Sequence, residues 1–169
     1  MRRTLGIVTV FAVLATVTIA WRIYTPDTSS ELQGAWVVTS WELDGEMIPD
    51  PQPGLIVFTG THYSMMYVNG AEPRDRYAGE EMTDAEMVGA YRTLVANSGR
   101  YEVSGNELTT RAYVAKDPNY MGDWPENAFT YTFRMEGETL HLNWPSDWPP
   151  GVWKGTFRKV EGEPVPAGN

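Results

Sequence analysis

The segment RYEVSGNELTTRAYVAK, residues 100–116, decides the fold class of this chain of 169 residues. Two runs rich in β-branched and aromatic residues, Arg100–Val103 and Glu107–Lys116, flank the turn-forming sequence Ser104-Gly105-Asn106. A connector this short can join two strands only as an antiparallel hairpin. The segment therefore predicts a β-hairpin.

Runs of the same kind recur along the rest of the chain. They predict six more strands, at Gly34–Leu43, Leu55–Phe58, His62–Val68, Ala128–Met135, Thr139–Trp144 and Val152–Val160. Because most of the connectors are short, neighbouring strands pair antiparallel as a meander. The eight strands can close on themselves and so remove unpaired edges. We therefore predict an all-β, eight-stranded antiparallel barrel, whose interior holds one small ligand or the side chains that fill it. A packed sandwich is the alternative.

One segment, Gly79–Asn97, departs from the strand pattern. Thr83 can cap a helix, with Glu86 three residues later as the second half of a capping box. Apolar residues then recur at helical spacing: Met87, Ala90, Tyr91, Leu94 and Val95. We predict one short helix between the third and fourth strands, and we expect its apolar side to cover an open end or flank of the sheet.

The N-terminus has the pattern of an export segment. Arg2 and Arg3 precede an uncharged, mainly apolar run from Leu5 to Ala20. This pattern is typical of a secretory signal, and an uncleaved membrane tether through residues 5–21 is the alternative. Either interpretation predicts an N-terminal hydrophobic helix and a location outside the cytoplasm, whether periplasmic, secreted or tethered to the membrane.

The same reasoning divides the chain into three parts. Residues 1–28 contain the signal or anchor with its linker, and Pro26–Ser30 are expected to be a polar linker. Residues 29–163 form the barrel, and residues 164–169 form a disordered tail.

Composition excludes several classes of function. The chain has no Cys, which excludes disulfides, thiolate metal sites and a cysteine nucleophile. Its net charge of −9 opposes binding to nucleic acid. The two histidines, His62 and His141, are too few for a three-histidine metal site. With no nucleophile elbow or phosphate-binding loop visible either, we predict no catalytic residue, metal or cofactor.

The two ends of the predicted barrel domain carry a family pattern. Gly34-Ala35-Trp36 opens the first strand, and Gly155-Thr156-Phe157-Arg158-Lys159 lies in the last. The pair resembles lipocalins and their calycin relatives, in which a Gly-x-Trp lies beneath a basic residue of the final strand. This resemblance implies that Gly34 and Trp36 plug the closed end of a barrel, with the Arg158 guanidinium over the indole.

Further segments resemble the bacterial and fungal lipocalin-like group in particular, and the specificity of the match lies in their shared order. The resemblance spans residues 31–160 and includes Asp44-Gly45, residues 53–60, residues 98–103, residues 117–122 and residues 136–140. It implies that the protein binds a small hydrophobic or amphipathic molecule inside the barrel. A barrel-scaffold enzyme of the isomerase or cyclase type, and a filled structural barrel of the cell envelope, are the alternatives.

Alternation along the strands nominates the residues that line the interior. They are Tyr63, Met65, Tyr67, Arg111, Tyr113, Tyr131 and Phe133. An inward-pointing Arg111 suits a ligand with an anionic head group, whereas an outward Arg111 is merely solvated. Aromatic residues cluster in two predicted loops, Tyr120 with Trp124 and Trp144 with Trp148 and Trp153, where they grip a ligand at the mouth or pack as a lid.

Overall fold

A computed structural model describes residues 28–69, 72–79, 81–147 and 150–160. Strands dominate this part of the chain. In order, the elements are α1 (Thr28–Leu32), β1 (Gly34–Leu43), β2 (Glu46–Ile48), β3 (Gly54–Phe58), β4 (His62–Val68), α2 (Asp84–Thr93), β5 (Leu94–Ser104), β6 (Glu107–Ala115), a 3₁₀ helix (Pro118–Tyr120), β7 (Ala128–Glu136), β8 (Thr139–Asp147) and β9 (Pro150–Val160).

The sheet closes into a barrel. Each strand from β3 to β8 pairs antiparallel with the next, and β1 pairs with β3 on one side and β9 on the other. The closing ladder runs from Ala35 opposite Val160 to Leu43 opposite Trp153. The prediction of an eight-stranded antiparallel meander barrel is therefore confirmed. A short additional strand, β2, pairs with the second half of β1.

The predicted helix is present, but its expected packing is wrong. Thr83 and Glu86 form the capping box, and the helix ends at Thr93. Leu94 and Val95, which the helical spacing included, instead pair with β4 and lengthen β5. The helix thereby loses the last turn of its apolar side and buries none of its residues; Met87, Val88 and Tyr91 are exposed.

The described part of the segment expected to be a linker, residues 28–30, is helical and belongs to the barrel domain. Residues 28–30 belong to α1, and the last residue of this helix, Leu32, is fully buried. The indole N–H of Trp36 donates a hydrogen bond to the Leu32 carbonyl at 2.7 Å. The side chain of Leu32 therefore packs in the core beside Trp36 and closes one end of the barrel.

A β-bulge in β1 sets which side chains enter the interior. The pairing with β9 shifts between Val38 and Ser40, so Thr39 has no partner in the ladder. Alternation alone would place Trp36 and Trp41, five positions apart, on opposite faces. The extra residue reverses the phase, and both indoles are buried in the core.

A second bulge lies in β6 at Tyr113. Ser98 pairs with Val114 and Gly99 with Ala112, which leaves Tyr113 unpaired. The backbones approach so closely here that a Cβ on Gly99 would lie 1.9 Å from the Arg111 carbonyl oxygen. Glycine is therefore required at position 99 for this bulge to form.

The meander places alternate connections at opposite ends of the barrel. At the closed end, α1 packs near turns of two or three residues, at 59–61, 105–106 and 137–138. At the open end, three of the four connections are ten residues or longer: 44–53, 69–93 and 116–127. Residues 1–27 of the signal or anchor segment predicted at residues 1–28 lie outside the described residues, and so does the predicted tail at residues 164–169. Within those that are described, no helix has the length and apolar character to cross a membrane.

Candidate functional site

Five of the seven residues expected to line the interior do point inward. Tyr63, Met65, Tyr131 and Phe133 are buried, and Tyr67 packs against them near the open end. The hydroxyl of Tyr131 on β7 reaches the Met65 sulfur on β4 at 3.9 Å. Since β5 and β6 separate these two strands, the contact crosses the interior.

The other two residues, Arg111 and Tyr113, lie on the outer face, which corrects the expectation that they line the interior. On β6 the inward positions are Leu108, Thr110 and Ala112, all buried. Arg111 alternates with them and binds Glu102 at 3.2 Å, while Tyr113 is 49% exposed in the bulge. An anionic head group therefore has no arginine to meet inside the described part of the barrel.

The inward phenols are held in their neutral form. Burial raises the pKa of Tyr63 to about 12, although a hydrogen bond with Thr110 opposes the shift. Burial also raises the pKa values of Tyr67 and Tyr131, with further contributions from neighbouring phenols. The buried polar side chains of the described interior are those of Gln52 and Thr110, and no ionised side chain joins them.

The open end is lined by aromatic rings in mutual contact. The Trp41 ring lies 5.0 Å from Tyr67, 5.8 Å from Trp144 and 6.3 Å from Trp153, measured between centroids. Trp144 and Trp153 are stacked on each other, and both lie in strands, within the bounds predicted for those strands. Trp148 lies outside the described residues.

The described residues leave a small cavity at this end. A cavity of about 10 Å³ lies between Trp41, Ile48, Val68, Asn69 and Trp153, which is room for about one water molecule. Trp41 itself occupies space left by a glycine, because a Cβ on Gly155 would lie 2.6 Å from its ring. In the part of the chain that the structure describes, side chains thus occupy the barrel axis as far as the mouth.

The plug at the closed end uses a different basic residue from the one expected. Trp36 is fully buried, as predicted, but Lys159 rather than Arg158 lies over its ring, with the ammonium 5.5 Å from the centroid. The ladder explains the difference, since Trp36 pairs with Lys159, whereas Arg158 points outward beside the inward Phe157. Gly34 allows this placement, because a Cβ there would lie 2.8 Å from the lysine chain.

A second concave feature lies on the outer face of β5 and β6. It is a groove of about 460 Å³ lined by Arg100, Glu102, Arg111, Trp124, Pro125 and Glu126. Sequence reasoning singled out Arg111 and Trp124 separately but could not bring them together. The link is a hydrogen bond from Arg111 Nε to the Pro125 carbonyl at 2.9 Å, which holds the 116–127 connection against the sheet.

Neither histidine points into the barrel. His62 is exposed at the start of β4, and its Nδ1 lies 2.7 Å from the Thr61 hydroxyl. His141 is on the outer face of β8 between Thr156 and Glu136. Within the ranges that the structure describes, no three potential metal ligands cluster. An isomerase or cyclase on this scaffold would use tyrosine, histidine or arginine as acid-base groups. Of these three types, only tyrosines lie inside the described part of the barrel.

Comparison with known proteins finds one matching family and two similar solved structures. The sequence profile of the lipocalin-like domain family matches residues 33–159. A lipocalin-like protein from Bacteroides uniformis is 17% identical, with a TM-score of 0.46 over 77% of this chain and 99% of that one. An uncharacterized protein from Bacteroides eggerthii is 13% identical, with a TM-score of 0.43 over 76% and 99% of the two chains. No curated protein matches.

Proposed function

Since the chain belongs to the lipocalin-like domain family, we propose that it binds a small hydrophobic molecule, or an amphipathic one with an uncharged polar group, at the open end of its barrel. The observation that carries this proposal is the neutral, aromatic lining of that end. The same proposal places the protein outside the cytoplasm, on the strength of the apolar run at residues 5–20.

The aromatic lining supports an apolar ligand. Trp41, Tyr67 and Trp144 offer ring faces and edges around one opening. Moving apolar ligand surface from water onto such rings is favourable by about 25 cal/mol per Å² before ordering costs are subtracted. Rings also lose little conformational freedom when they are ordered by a ligand.

The phenols support an uncharged polar group and oppose a charged one. Neutral Tyr63, Tyr67 and Tyr131 can each donate and accept a hydrogen bond, which suits a carbonyl or hydroxyl. A carboxylate or ammonium would meet no opposite charge among the described interior residues. Burying an unpaired ion is far more costly than burying a hydrogen-bonded neutral group.

The small cavity at the mouth supports a route of entry for the ligand. Ile48 and Trp153 border it and are only half-buried. Ile48 belongs to β2, which has three residues and, among the described strands, pairs with β1 alone. We infer that the ligand displaces these two side chains outward and takes the space they leave.

The filled axis favours a second candidate, a barrel whose interior takes no ligand. The uncharged fluorophore N-phenyl-1-naphthylamine tests the two against each other, with the anionic anilinonaphthalene sulfonate as its charged counterpart. We expect the uncharged probe to bind and to gain fluorescence, and the anionic probe to bind at least about tenfold more weakly, a difference of about 1.4 kcal/mol.

Two variants locate the binding. Trp153→Ala removes a ring that the ligand has to displace, so we expect tighter binding of the uncharged probe. Val152→Ala is the matched control, because Val152 is 48% exposed on the outer face of the same strand. If the uncharged probe bound neither the unmodified protein nor the Trp153→Ala variant, the barrel would be one whose interior takes no ligand.

A further inference from the structure

We propose that the groove on the outer face of β5 and β6 binds a neutral oligosaccharide. This site is separate from the barrel mouth and does not depend on it. The juxtaposition that carries the proposal is an exposed indole, Trp124, held over a groove that contains both arginine and glutamate side chains.

The indole is held in place while remaining open to solvent. Trp124 is 44% exposed and lies beside the exposed Tyr113 ring, so the two form an exposed apolar patch rather than a single exposed side chain. Its connection is fixed by hydrogen bonds from Arg111 Nε to the Pro125 carbonyl at 2.9 Å and from Asn127 Nδ2 to the Tyr120 carbonyl at 2.7 Å. A ligand that stacks on this ring therefore has no loop to order first.

The exposed ring is one of a row. Tyr113, projected outward by the bulge in β6, lies 4.9 Å from the Trp124 ring. Its other neighbour is His62 on β4, at 5.9 Å between centroids. Three rings in sequence along the outer face present successive platforms, which fits a chain of rings better than a single one. Residues 62 and 100 also pair in the β4–β5 ladder, so this row runs beside the groove.

The charges of the groove favour a neutral, hydroxyl-rich partner. Arg100 and Arg111 are offset by Glu102 and Glu126, so the groove attracts neither anions nor cations as a whole. Guanidinium groups only donate hydrogen bonds and carboxylates only accept them, whereas each sugar hydroxyl does both. A sugar can thus stack an apolar ring face on Trp124 while its hydroxyls meet both charged types at the rim.

Three neutral hexasaccharides test the proposal: maltohexaose, cellohexaose and N-acetylchitohexaose. Each is titrated into the full chain while the indole N–H signal of Trp124 is followed by NMR and the heat of binding by calorimetry. We expect at least one of them to shift this signal and to bind. Absence of binding by all three up to about 10 mM overturns the proposal.

Matched variants separate this groove from the rest of the molecule. Trp124→Ala and Arg100→Ala should each weaken binding, the first by at least about tenfold. Arg134→Ala is the control for Arg100, because Arg134 is another exposed, outward strand arginine. Trp153→Ala should leave sugar binding unchanged. Loss of sugar binding in Trp153→Ala but not in Trp124→Ala would place the sugar at the barrel mouth and overturn the groove site.

Discussion

The two ends of the barrel are built from the same eight strands but differ in how they are finished. At the closed end, short turns and α1 surround fully buried side chains, among them Leu32, Trp36 and Phe157. At the open end, long connections surround rings that are stacked but in part solvent-accessible, such as Tyr67 and Trp153. Between these two layers, the Tyr131 hydroxyl reaches the Met65 sulfur across the interior.

This difference shows that one end of a barrel can maintain the fold while the other end varies and carries the function. One well-packed end with tight hairpins can fix the strand register for the whole barrel, because each ladder extends from end to end. The other end is then free to carry longer connections and imperfectly buried rings without loss of the fold. Changes at the closed end should therefore cost stability, whereas changes at the open end should alter binding.

The largest expected effect comes from removing the plug. Trp36→Ala deletes a fully buried indole and its hydrogen bond to Leu32, and we expect a loss of about 3–5 kcal/mol in the free energy of unfolding. Trp153→Ala removes the same atoms from a half-buried position at the open end and should cost less than half as much. Urea denaturation of both variants measures the difference. Equal losses would contradict the contrast between the two ends.

The next effect is an alkaline loss of stability that originates in the phenols. The pKa of Tyr63 is raised by burial from 10.0 to about 12, so the folded state retains a proton that the unfolded chain loses. Stability is therefore complete below about pH 10 and falls as the pH rises toward 12 and beyond, by roughly 2–3 kcal/mol for this residue.

Denaturant unfolding at increasing pH, with tyrosinate absorbance followed in parallel, tests this expectation. Tyr63→Phe should reduce the alkaline loss, since the variant has no phenol to ionise at this position. Tyr77→Phe, at an exposed tyrosine, should leave it unchanged. If Tyr63→Phe lost as much stability at alkaline pH as the unmodified protein, the loss could not be assigned to ionisation of Tyr63.

A smaller effect tests the β5–β6 ladder that connects the two ends. A Cβ at Gly99 would meet the backbone of Arg111 and Ala112 at the bulge, and backbone cannot rotate away as a side chain can. We expect Gly99→Ala to cost about 1–3 kcal/mol and to lower the melting temperature. Gly60→Ala is the control, because a Cβ there meets nothing within 4 Å; it should change stability by less than about 0.5 kcal/mol.

The strand order was predictable from sequence, because turn residues and β-branched runs specify hairpins locally. The Thr83–Glu86 capping box was likewise visible in four residues. What alternation could not supply was the phase of strands that contain bulges. Neither Thr39 nor Tyr113 carries a local sequence signal of an extra residue. The bulge at Thr39 nevertheless determines that the Trp41 side chain points into the interior.

Non-local pairing explains the remaining differences in the candidate site. Lys159 rather than Arg158 faces Trp36 because the closing ladder sets that register, and its partner strand lies more than a hundred residues away. The outer groove could not be predicted from the sequence for the same reason, because it brings together Arg100 on β5 and Trp124 in the 116–127 connection. The sequence identified residues that can bind a ligand, whereas the strand pairing determined which of these residues contact one another.

The smallest expected effect is confined to the open end, at α2. Ala78 N–H, Thr83 N–H and the Thr83 hydroxyl all donate to the Glu86 carboxylate, and they lower its pKa from 4.5 to about 2. The stabilisation is thus present above pH 4.5 and is lost as the pH falls toward 2. Because α2 buries none of its residues, we expect acid or Glu86→Gln to loosen this helix and leave the barrel folded.

Backbone chemical shifts of residues 84–93 report the state of the helix, while tryptophan fluorescence reports the barrel. Glu81→Gln provides the control, since Glu81 lies outside the capping box on the same connection. If Glu86→Gln lowered the midpoint of global unfolding as far as it loosened the helix, α2 would be coupled to the core. The independence of the open end from the closed end would then be lost.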